Sequence, residues 1–140
     1  IRLWDVTAGK EIRQFVLGDE IPMAPFYDVS FSPDSQMVAA TGADKKIHLW
    51  TVASGKLIRS ITGHADEVYH VQFNAAGTKI LTCGHVGNVN VWNVSDGMQA
   101  FTSPLPSISY SATYIRGGTQ VIATCADGNS YVIDLPLTAR

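Results

Sequence analysis

Apolar and polar residues alternate along most of the chain in short runs, separated by clusters of Gly, Pro, Asn, Asp and Ser. Ile1-Arg2-Leu3-Trp4-Asp5-Val6, Ile47-His48-Leu49-Trp50-Thr51-Val52 and Val89-Asn90-Val91-Trp92-Asn93-Val94 share one pattern, apolar first and third residues around a variable second, then Trp, a polar residue and Val. A period of two places alternate side chains on opposite faces, so each run predicts a strand with a buried face. Tracts such as Met37-Val38-Ala39-Ala40 are strand-length, far short of the ~20 apolar residues that a membrane helix needs.

The runs recur. Trp4, Trp50 and Trp92 stand 46 and then 42 residues apart, and Ser130-Tyr131-Val132-Ile133-Asp134-Leu135 is a weaker copy with Ile133 in the Trp position. Gly9, Gly55 and Gly97 each follow three residues after the closing Val, where a tight turn must reverse the chain. Lys10–Phe15 and Lys56–Ile61 then alternate again, whereas the third stretch, Met98–Ser103, has lost that pattern. Upstream of Trp50, Trp92 and Ile133 another strand is predicted: Phe26–Phe31, Val68–Phe73 and Ser109–Tyr114. The turns Ser32–Ser35, Asn74–Gly77 and Ile115–Gly118 lead into the short strands Met37–Ala40, Lys79–Thr82 and Gln120–Ala123. Internal repeats at such a period mark stacked units rather than one irregular domain. The expected organisation is an outer strand pair of a preceding unit over 1–18, units over 19–62 and 63–103, a degenerate last unit over 104–135, and a tail over 136–140.

Four short strands per ~40–45 residues, with a Gly-His and a Trp-Asp dipeptide, is the pattern of a propeller blade. Gly63-His64 and Trp4-Asp5 supply those dipeptides, and over essentially its whole length the chain resembles the WD-repeat β-propeller family. The resemblance implies an all-β fold of four-stranded antiparallel blades. It also implies a hydrogen-bonded side-chain set in each blade: a His before the innermost strand, a Ser or Thr on the second, an Asp in the next turn, and the Trp. The Trp92 unit offers His64, Thr82, Val86 and Trp92; the Trp50 unit offers Asp19, Ala40, Asp44 and Trp50. The last unit keeps only Asp127. With Trp4, these make the expected structural network Trp4, Asp44, Trp50, His64, Thr82, Trp92 and Asp127, in which buried polar groups satisfy one another.

About three blades are present, and propellers close with about 4–8. The chain alone is therefore expected not to close a ring. A start at Ile1, inside a strand, reads as the carboxy-terminal part of a larger propeller; self-association of copies into a ring is the alternative. Matching unit endings, Val6-Thr7-Ala8-Gly9-Lys10 and Val52-Ala53-Ser54-Gly55-Lys56, suggest recent blade duplication. In this the chain resembles bacterial WD-repeat proteins, whose propellers are often joined to an enzymatic domain.

One repeated feature is explained by neither turns nor core. Tyr27, Tyr69 and Tyr110 occupy one position on the innermost strand of successive units, which a propeller would set in an arc. Simple alternation puts Tyr69, Val71 and Phe73 on one side of their strand and Val68, His70 and Gln72 on the other. The resemblance places the start of this strand near the face where such blades most often bind partners, and aromatics with a polar tip are enriched at interfaces. Tyr27, Tyr69 and Tyr110, with the flanking Glu67 and His85, are the candidate partner-binding residues; packing beneath the loops is the alternative.

Composition narrows the function classes. The chain has 140 residues, 46% of them hydrophobic and 16% charged, with a formal net charge of −2. Lacking a basic excess, it offers no electrostatic footprint for nucleic acid. No membrane association is expected. His48, His64, His70 and His85 have no carboxylate or Cys at ligand spacing, so no metal is expected. No nucleophile elbow, phosphate loop or dinucleotide fingerprint occurs, so neither catalytic residues nor a cofactor is expected. Cys83 and Cys125, one position out of register in neighbouring units, read as buried small hydrophobes. A channel-based enzyme would need acidic or His side chains on the axis, and the inner strands offer Asp28, Glu67 and His70. The expected function is a non-catalytic scaffold presenting a rigid loop rim to protein or peptide partners. The alternatives are a self-assembling half-propeller and the propeller part of a larger bacterial enzyme or regulator. Compartment is not legible, and cytoplasmic is the default expectation.

Overall fold

The computed structural model describes residues 1–18 and 24–140; Asp19 and part of the connection Ile21–Pro25 lie outside the described residues. Among the described residues, thirteen strands form four antiparallel sheets. The first is the pair β1 (Arg2–Asp5) and β2 (Lys10–Gln14). The second orders β3 (Phe26–Phe31), β4 (Met37–Gly42), β5 (Ile47–Thr51) and β6 (Leu57–Ile61) in chain sequence. The third repeats this with β7 (Val68–Phe73), β8 (Lys79–Gly84), β9 (Asn88–Asn93) and β10 (Gln99–Pro104). The fourth has three strands, β11 (Ser109–Ile115), β12 (Gln120–Cys125) and β13 (Ser130–Asp134), followed by a short 3₁₀ turn at Leu137–Ala139. Each sheet is an up-and-down meander, as short hairpin connections dictate. The four sheets form an unclosed row of propeller blades.

Three apolar layers hold the row together. Phe15, Val38, Ala40 and Trp50 lie between the first and second sheets. Ala39, Ile47, Leu49, Ile61, Val71, Phe73, Ile80 and Trp92 fill the space between the second and third. Leu81, Cys83, Val89, Val91, Ala112, Val121 and Ala123 lie between the third and fourth, joined by Leu135 and Ala139 from the tail. The middle strands read as nearly continuous apolar runs because they are buried on both faces. Along β8, Ile80 faces one layer while Leu81 and Cys83 face the other.

Three expectations change. Met98–Ser103 lacks alternation, yet Gln99–Pro104 is a full outer strand, paired with β9 from Trp92 to Asn88. An outermost strand has only one face against the core, so the backbone ladder sustains it despite a weak pattern. The second strands extend to Gly42, Gly84 and Cys125, two residues beyond the predicted ends. The third change concerns the inner strands and fixes the candidate site.

Candidate functional site

Simple alternation fails at the start of β3, β7 and β11. In β7, Val68 pairs with Gly84 and His70 with Cys83, which leaves Tyr69 as the extra residue of a β-bulge. Tyr27 is the extra residue between Phe26↔Gly42 and Asp28↔Thr41, and Tyr110 that between Ser109↔Cys125 and Ser111↔Thr124. Two residues then oppose one, and the bulged side chain is re-aimed out of the regular pleat. Tyr69 therefore does not share a face with Val71 and Phe73, which are buried, while Tyr69 is partly exposed. Close backbone approach accompanies the bulge: a Cβ on Gly84 would stand 2.1 Å from the Glu67 carbonyl oxygen, and one on Gly42 would stand 2.1 Å from that of Pro25.

The bulges assemble one aromatic ribbon from three sheets. The rings of Tyr27 and Tyr69 lie 5.6 Å apart at 54°, and those of Tyr69 and Tyr110 lie 5.9 Å apart at 25°. Both separations fall within the range of favourable ring pairs. Tyr27 and Tyr110 are exposed, at 44% and 55%. Glu67 and His85 gather at the central ring. The Tyr69 hydroxyl is 2.9 Å from His85 Nδ1 and donates to Glu67 Oε2 at 3.3 Å. Partial burial, and after it the nearby Glu67 carboxylate, holds the Tyr27 and Tyr69 phenols above their ordinary pKa.

Below the ribbon, polar side chains tie neighbouring inner strands. Asp28 Oδ2 lies 2.8 Å from His70 Nδ1 and accepts the Val71 N–H at 3.0 Å. Gln72 repeats the device by accepting the Tyr114 N–H at 3.2 Å. The Asp28 carboxyl sits below its ordinary pKa: desolvation pushes it up, but the hydrogen bonds from His70, Val71 and Val29 outweigh that effect. Of the three inner-strand groups, Asp28 and His70 come together, while Glu67 belongs to the tyrosine ribbon. Sequence reading missed the Asp28–His70 tie, although both residues occupy the position just after the repeated tyrosine.

The expected network residues divide. In the third sheet Trp92 Nε1 donates to Thr82 Oγ1 at 2.8 Å, and Thr82 Oγ1 lies 2.8 Å from His64 Nε2. An indole N–H only donates, so the Thr82 hydroxyl accepts it, and the same oxygen is hydrogen-bonded to His64 Nε2. Burial lowers the His64 pKa to about 4, which keeps the ring neutral at neutral pH. Val86, in the turn, is exposed and adds nothing to the chain of bonds. In the second sheet Ala40 offers no hydroxyl, and Trp50 Nε1 donates instead to the Val16 carbonyl at 3.0 Å. Asp44 bonds to His48 Nε2 at 2.6 Å, whose Nδ1 meets Ser60 Oγ at 2.7 Å. Asp44 and Trp50 thus serve separate hydrogen bonds. Asp127 accepts from the Tyr131 hydroxyl at 2.6 Å and from Asn129 N–H in its turn. Trp4 is 51% exposed, because its two-stranded sheet has no inner strands among the described residues to pack against it.

Among the described residues no group of three or more His, Cys, Asp or Glu side chains could hold a metal ion. No helix of the described residues is long and apolar enough to cross a membrane. Cys83 and Cys125 are free and buried.

This geometry defines a class of repeat, and comparison with known proteins agrees. Residues 23–51 and 55–93 match the family model "WD domain, G-beta repeat". These two stretches of the chain are WD repeats. It is 31% identical over 101 residues to Periodic tryptophan protein 2 of Arabidopsis thaliana, covering 71% of this chain and 11% of that protein. It is 27% identical over 146 residues to the guanine nucleotide-binding protein subunit beta of Zea mays, covering 94% of this chain and 38% of the relative. With human Coronin-2A it shares 29% identity over 122 residues, covering 76% of this chain and 23% of the relative. The chain spans well under half the length of each of these relatives, and none of the three names denotes an enzyme.

Proposed function

We propose that this chain is a non-catalytic protein–protein interaction scaffold whose working surface is the rim at the start of the inner strands. The observation carrying this reading is the stack of Tyr27, Tyr69 and Tyr110, each turned out by a bulge at the same register. Bulges cost regular pairing, and aromatic rings half open to water forgo burial. Their repetition at one rim fits an aromatic contact surface better than it fits packing. Rigid sheets beneath, tied by Asp28 and Gln72, hold the rings in place without a partner, which lowers the entropy cost of docking.

The chain supplies about three blades of a larger ring. Val29, Phe31 and Trp4 at one end of the row, and Val132 at the other, are exposed apolar side chains of the kind that a neighbouring blade covers. Those blades come from the same protein or from further copies of this chain. Light scattering separates the two sources: a discrete oligomer identifies copies, and a monomer identifies blades of the same protein.

The test of the scaffold reading is affinity capture with the wild-type chain and with the Tyr27→Ala, Tyr69→Ala, Tyr110→Ala triple variant, alongside a thermal melt of each. Loss of the captured partner with a retained cooperative melt supports the rim; undiminished capture removes it.

A further inference from the structure

The tyrosine ribbon contains one carboxylate that no cation answers. Glu67 sits at its centre, accepts from the Tyr69 hydroxyl, and makes no ion pair among the described residues. The neighbouring basic side chains are already engaged: Lys45 Nζ lies 3.3 Å from Asp66, and His70 is held by Asp28 at 2.8 Å. His85 contributes its Nδ1 to the Tyr69 hydroxyl. The site therefore combines the exposed rings of Tyr27 and Tyr110, on either side of Tyr69, with a carboxylate that makes no ion pair.

We infer that the rim recognises an arginine side chain on an extended segment of a partner protein, its guanidinium lying on the tyrosine faces and donating to Glu67. This rests on the scaffold reading and specifies the chemistry of its partner. A cation is drawn both to the negative face of an aromatic ring and to a carboxylate, and here one position offers both. Arginine fits better than lysine because a planar, weakly hydrated guanidinium can stack on the rings while its in-plane N–H groups reach the carboxylate. The Tyr69 hydroxyl that donates to Glu67 orients that carboxylate in advance. A nucleic acid could also stack on tyrosines, but its phosphates would meet Glu67, Asp66 and Asp28 on a chain of net charge −2.

The experiment titrates the full chain with a short acetylated, amidated peptide, Gly-Ala-Arg-Ala-Gly, while following the tyrosine ring resonances by NMR. The same peptide with citrulline or lysine in place of arginine, and an oligouridylate, serve as comparison probes. The arginine peptide should shift the Tyr27, Tyr69 and Tyr110 signals saturably, with the citrulline peptide weaker by about tenfold, as expected when a charge-assisted bond is lost. Glu67→Gln should weaken the arginine peptide by about the same factor. Equal response to arginine and citrulline, no response to either, or preferential binding of the oligouridylate would overturn the inference. A natural partner whose capture is lost in the triple tyrosine variant but unchanged in Glu67→Gln would also overturn it, while leaving the scaffold reading in place.

Discussion

The indole nitrogen of Trp92 donates to the hydroxyl of Thr82 at 2.8 Å, and both residues are almost wholly buried in the third sheet. This bond joins the third strand of the blade to its second, and His64 extends it to the loop before the first. Replacing Thr82 with Val keeps the shape and removes the hydroxyl, leaving the Trp92 N–H and the His64 ring nitrogen without partners. We expect a loss of about 1–3 kcal/mol, with Thr82→Ser losing clearly less. Urea unfolding of the two variants against wild type checks this, through the midpoint at constant slope.

Stability should fall in mild acid because of His64. Its folded pKa, about 4, lies below its ordinary 6.5, so the unfolded state binds the proton first as pH drops. The contribution is fully present above pH 6.5 and is lost progressively toward pH 4, by up to about 3 kcal/mol. Urea midpoints between pH 7 and 4.5 measure the slope, and a His64→Gln variant should flatten it.

Gly84 lies opposite Val68, beside the bulge that turns out Tyr69, and an added methyl would press on the Glu67 carbonyl. Gly84→Ala should cost about 1–3 kcal/mol through overpacking. Cys125 holds the corresponding register in the fourth sheet, so the strands should part locally rather than unfold. Thermal melts read the loss of stability, and the Tyr69 ring signals should move further than those of Tyr114.

Glu67 raises the pKa of the Tyr27 and Tyr69 phenols, second to their partial burial. Glu67→Gln removes a negative charge that opposes phenolate formation, so both should titrate at lower pH than in the wild type. Alkaline titration of the ring signals checks this, with burial leaving part of the upward shift in place.

Cys83 is fully buried, and its thiol is pushed up to about 11, chiefly by burial. It should resist a thiol reagent such as DTNB in the native chain at neutral pH and react promptly in strong denaturant. Prompt native labelling at Cys83, read by mass spectrometry, would contradict the packing between the third and fourth sheets.

Strand order and the candidate rim were legible because they rest on period and repetition. Trp50 and Trp92 mark third strands at matching depth, and Tyr27, Tyr69 and Tyr110 align without gaps. The bulges were not legible, because an inserted residue leaves the apolar and polar letters in place while shifting which face each occupies. Only Gly42 and Gly84, standing opposite Phe26 and Val68, hint at the close approach. The ribbon's polar supports were partly hidden for a different reason. Asp28 and His70 look like unrelated polar residues until adjacent sheets bring them within 2.8 Å. Trp4 repeats the letters of Trp50 and Trp92, yet its burial depends on strands beyond its own run.

The central claim is that the tyrosine rim, and not another surface, meets the partner. A photo-crosslinking residue at Tyr110, compared with one at Ser35 in the turn at the far end of β3, tests it most directly in cells. The account predicts discrete adducts from position 110 and none from position 35. Equal adducts from both positions, or adducts from position 35 alone, would contradict it.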